Sequence, residues 1–126
     1  IRPYELSMRR DIFFKQALTH HQEDCDDLYM AVRMALIADE YMGQITLPQV
    51  TVRVSGSACL ADTLQGLSRA RLANPARFEF TAQEGPGQSI WEKPGRRLMV
   101  TAKRSVNRES FKIISDEELF EIVVTD

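Results

Sequence analysis

From Pro3 to Thr19 the apolar residues recur at helical spacing. Tyr4, Met8 and Ile12, then Phe13, Phe14, Ala17 and Leu18 form one stripe, with Arg2, Arg9, Arg10 and Lys15 on the other side. This predicts a first helix, with Pro3 in its first turn. The polar run HHQEDCDD then reads as a turn. A second helix follows over DDLYMAVRMALIADEYMG, with carboxylates Asp26 and Asp27 at its start and Gly43 placed for the left-handed residue after its last turn. Between Leu28 and Ala38 only Arg33 is polar. A helix apolar nearly all round needs cover on more than one side, from its own chain or from another.

After Gly43 the period shortens. Val50, Val52 and Val54 alternate with Thr51 and Arg53, the pattern of a half-buried strand. Ser57 is placed to cap a third helix over ACLADTLQGLSRARLA, with Leu60, Leu64 and Leu67 on its buried face and Asn74-Pro75 as its stop. ARFEFTA is a second strand, so these pieces predict a strand-helix-strand unit. RLMVTAKR and SFKII read as a hairpin around SVNRE. Ser115 and Glu118 suit the ends of a capping box on one helical turn, and FEIVVT is apolar enough for an internal strand.

The order predicts a single α+β domain over residues 1–126. Two N-terminal helices and one further helix pack on one face of a mixed, mostly antiparallel sheet of four to five strands.

Composition sharpens this picture at three points. The net charge of the 126 residues is −2, which gives no general affinity for nucleic acid or membrane. No apolar run is long enough to span a bilayer, and no signal segment opens the sequence. The two cysteines, Cys25 and Cys59, do not make a secreted disulfide framework, so a cytoplasmic protein with reduced thiols is expected. Charge is also unevenly placed. Lys93, Arg96, Arg97, Lys103, Arg104, Arg108 and Lys112 face a single acid, Glu109, over that stretch, whereas the tail beyond it is acidic.

Four stretches could carry function. The first is EGPGQSIWEKPGRR, which holds the only tryptophan among glycines and prolines. Read as an irregular loop over Gln83 to Gly95, it offers Trp91 and Ile90 as anchors for a partner; the competing explanation is a tryptophan folded back into the core. The second is the basic hairpin 93–112, where Arg96, Arg97, Lys103, Arg104 and Arg108 could follow phosphates; the competing explanation is a charged, solvated hairpin. The third is Ser55-Gly56-Ser57, where a strand enters a helix and exposed amides favour an anion, although Ser57 as a plain cap explains the same residues. The fourth is HHQEDCDD, whose His20, His21, Glu23, Asp24, Cys25 and Asp26 are ligand types without a second cluster to complete a site, so no metal and no cofactor is expected.

No constellation of acids, bases and nucleophiles stands out. The leading expectation is therefore a non-catalytic interaction or assembly module. It would dock a protein partner, or a second copy as a homodimer, through helix 27–42 (Tyr29, Met30 and Met34) and the segment around Trp91. The alternatives are nucleic-acid binding by the basic hairpin and a small enzyme or anion-binding domain with a site near Ser55–Ser57.

Overall fold

In the computed structural model the described residues are 26–43, 45–46, 49–69, 77–85, 87–104 and 113–125, with residues 12 and 15 singly. The predicted first helix lies outside them except at Ile12 and Lys15, both helical and exposed.

The nearly all-apolar second helix is present as α1, Asp26–Met42, and Gly43 follows it at φ +81°. Every residue from Leu28 to Ala38 is buried, Arg33 included. The cover comes from the chain itself: α1 packs against the helix Ala58–Ser68, called α2, and against the sheet. Two further devices fasten α1. Its last carbonyls accept hydrogen bonds from cations, Tyr41 from Arg96 Nη1 at 2.7 Å and Met42 from Lys93 Nζ at 2.9 Å, which suits the negative end of the helix dipole. At its middle, the Arg33 guanidinium donates to the Ile114 carbonyl and to Asp116 Oδ1, each at 2.7 Å, and so ties α1 to the C-terminal segment.

Strands β1 (Thr51–Gly56), β2 (Phe78–Ala82), β3 (Gln88–Lys93), β4 (Arg96–Ala102) and β5 (Phe120–Thr125) form one sheet in the order β2-β1-β3-β4-β5. Only β1 and β2 are parallel, as the α2 crossover between them requires; the other three pairings are antiparallel. The fold is thus the expected α+β arrangement. Its short helical turn α3, Asp116–Leu119, starts at Ser115, whose hydroxyl accepts from the Glu118 amide at 3.2 Å.

The strand alternation sorts the sheet into two faces. Val52, Val54, Phe78, Ser89, Trp91, Leu98, Val100 and Phe120 are buried toward the helices. On the other face every described residue is exposed or half-buried.

Four expectations change. Gln83–Gly95 is not a loop throughout: Gln88–Lys93 is the central strand, bounded by the glycines before it and by a Pro94-Gly95 turn with Gly95 at φ +86°. The 93–112 hairpin with SFKII does not form as predicted. Both sides of β4 are already taken, by β3 and β5, while Ile113 and Ile114 lie in a turn and residues 105–112 lie outside the described ones. Helix α2 ends at Ser68, well before Asn74-Pro75, because Arg69 adopts the left-handed conformation at φ 61°. Finally, among the described residues FEIVVT lies at the edge of the sheet, with β4 as its one neighbour.

Candidate functional site

Trp91 sits opposite Val52 of β1 and Leu98 of β4, and it is fully buried. Its indole Nε1 donates to Ser89 Oγ at 2.8 Å, two residues away on the same strand face, so its polar atom is satisfied inside the core. Tyr29, Met30 and Met34 are buried along α1 in the same core. These four residues are therefore not on the surface of the single chain. Ile90, the neighbour of Trp91, is half-buried on the opposite, open face of the sheet.

The described basic residues serve different places in the fold. Lys93 and Arg96 hold the end of α1, and Lys103 donates to the Glu117 carbonyl at 2.9 Å. Arg97 and Arg104 are exposed, and Arg108 lies outside the described residues.

The Ser55-Gly56-Ser57 corner is filled from within. Ser57 caps α2, accepting from the Leu60 amide at 3.1 Å, and its hydroxyl donates to Asp27 Oδ2 at 2.6 Å. A carboxylate of the chain thus already lies beside this helix start. Gly56 does allow a close approach, but of backbone: a Cβ there would lie 3.2 Å from Gly87 Cα and 3.1 Å from Leu60 Cδ2. Gly87, at φ +104°, is tighter still, since its Cβ would come within 2.6 Å of Leu60 Cδ2. The HHQEDCDD residues 20–25 lie outside the described residues, and among the described ones no group of three His, Cys, Asp or Glu gathers.

A feature that the chain's own packing leaves open lies at the β5 edge. Cross-strand register aligns Ile90 with Met99, and Met99 with Val123, on the open face. An apolar row therefore runs from the centre of the sheet to its rim. Around it the open face is polar and laced: Arg53 lies 3.5 Å from Glu79 and 4.0 Å from Glu92, and Gln88 Nε2 donates to Thr101 Oγ1 at 2.9 Å. At the rim, Val123 and Val124 are 45% and 38% exposed, on opposite faces of the same strand. Among the described residues no strand pairs with the outer side of β5. The β5 sequence FEIVVT contains no proline, no basic residue and one acid, Glu121, so it carries little of the charge that usually protects a free edge. The opposite edge strand, β2, likewise carries one acid, Glu79, at its second position, there beside Arg53.

The apolar content of FEIVVT reads as an internal strand, so composition alone hides this edge.

The fold and this rim define an α+β domain with a mixed five-stranded sheet, helices on one face and, among the described residues, an exposed apolar edge at β5. Compared with known proteins, the chain matches no family model and no curated sequence.

Proposed function

We propose that the chain is a non-catalytic interaction module that docks a protein through the β5 edge. The observation that carries this reading is the pair of exposed valines, Val123 and Val124, on both faces of a strand with an open hydrogen-bonding side. Strand addition to such an edge supplies affinity through main-chain hydrogen bonds and specificity through alternate side chains. The apolar row Ile90–Met99–Val123 gives an incoming strand a surface to lie against. This moves the docking surface away from α1 and Trp91, whose apolar groups are satisfied in the core. Nucleic-acid binding has less support, since Lys93, Arg96 and Lys103 each donate to a backbone carbonyl of the same chain.

The test is site-specific photocross-linking in cells, with a photoreactive phenylalanine analogue in place of Val123 and, as control, in place of Arg53. A discrete protein adduct from position 123 and none from position 53 supports the reading. No adduct at 123, or the same adduct at both positions, contradicts it.

A further inference from the structure

We infer that the occupant of the β5 edge is the β5 strand of a second copy, paired antiparallel about a two-fold axis at Val123, so that two sheets join into one of ten strands. This rests on the reading of β5 as the docking edge.

The backbone fixes which groups are on offer. The Ala102 amide donates to Gly87 on the β3 side of β4, and the Lys103 amide donates to Leu119 on the β5 side. Antiparallel strands alternate in this respect, each residue directing both its N–H and its C=O to one side. Counting along the observed register, Glu121, Val123 and Thr125 direct their backbone groups to β4. Ile122 and Val124 therefore present theirs outward.

A two-fold axis at Val123 sets Ile122 opposite Val124 of the second copy, and Val124 opposite its Ile122. Both members of each pair point outward, so each pair exchanges two hydrogen bonds. Val123 meets its own symmetry mate in the closer, non-hydrogen-bonded position. Side chains agree with this register on both faces. On the helix side, half-buried Ile122 covers the exposed Val124 of the second copy. On the open side, the row Ile90–Met99–Val123 continues into its symmetry mate, and an apolar stripe crosses the joined sheet.

Charge selects the same register. Glu121 falls opposite Thr125, whereas an axis at Glu121 would oppose two carboxylates directly, which is unfavourable. An axis at Ile122 would set Glu121 against Val123 of the second copy and break the apolar row on the open face, and an axis at Val124 leaves Phe120, Glu121 and Ile122 without a strand partner. The arrangement also closes: one β5 edge per chain is consumed by a two-fold pairing, which gives a dimer rather than a fibre. Two short edges bury less than the roughly 1,200 Å² typical of tight complexes, so a reversible, concentration-dependent dimer is expected.

Cysteine cross-linking of the purified full chain, with Cys25 and Cys59 replaced by serine, tests the register. Opposed non-hydrogen-bonded residues have Cα atoms about 4.5 Å apart, within disulfide reach. Val123→Cys should couple to itself under mild oxidation. Glu121→Cys should not, because its symmetry mate lies about 14 Å along the strands at 3.4 Å per residue. A mixture of Glu121→Cys and Thr125→Cys chains should give the mixed disulfide. Equal coupling at 121 and 123, or none at 123, overturns the inference. Sedimentation of the unsubstituted chain guards against a folding defect in the variants: a single-chain mass at every concentration also overturns it. If a position-123 photoadduct then contains a different protein, the docking reading survives while the second copy is excluded; if there is no adduct, both fall.

Discussion

Trp91 and Ser89 show how a strand can hide its own signature. In QSIWEK the buried face carries a serine and the open face an isoleucine, which inverts the usual apolar-in, polar-out pattern. The serine is buried because the indole needs an acceptor, and its hydroxyl at 2.8 Å provides one. Two measurements follow. Trp91 emission should be blue and poorly quenched by acrylamide; a red, readily quenched spectrum would contradict its burial. Ser89→Ala should lower stability by about 1–2 kcal/mol in denaturant unfolding, the cost of a buried donor left without a partner, whereas an unchanged midpoint would mean the indole finds another acceptor. Arg69 gives a test of opposite sign. Its left-handed φ of 61° is costly for a side chain and natural for glycine, so Arg69→Gly should raise stability by up to about 1 kcal/mol. A loss on that substitution would mean that the arginine's own interactions outweigh its backbone strain.

At the scale of elements, helix ends and strand periods were the legible part. Gly43, Ser57 and Ser115 mark ends where the chain does begin or leave a helix, because end signals act locally on backbone groups that have no other partner. The alternation of Leu98, Val100 and Ala102 was equally plain. What local pattern could not reveal was pairing. Whether RLMVTA meets SFKII, QSIWEK or FEIVVT is decided by how all five strands share one core. The basic stretch misled for a related reason: Lys93 and Arg96 find their partners at the end of α1, about fifty residues earlier in the chain. Arg33 is the strongest such link. Its side chain is 10% exposed and reaches across 83 residues to Asp116. Arg33→Ala should cost on the order of 2 kcal/mol and loosen the segment from Ile114 to Leu119 first. Amide exchange resolves this: faster exchange confined to that segment is the expected result, and uniform acceleration would deny the tie its local role.

For the whole molecule, the described residues give the sheet a face that is covered and, at β5, a rim that is not. The core accounts for the conspicuous apolar residues: the Leu28–Ala38 helix, Trp91, and the leucines of α2 are all covered within one chain. Hydrophobicity in the sequence therefore pointed mainly to the interior; among the described residues the exposed large apolar side chains are Ile12, Tyr41, Ile113 and the β5 pair Val123 and Val124. The proposed assembly depends on the β5 pair alone. Light scattering of the purified chain, from low micromolar to several hundred micromolar, beside the Val123→Lys variant, tests it most directly. Lysine at the two-fold axis would oppose two like charges without touching the core, so folding should be preserved. The account predicts a mass rising from one chain toward two for the native sequence and a constant single-chain mass for the variant. A single-chain mass for both, or the same rise in both, would contradict it.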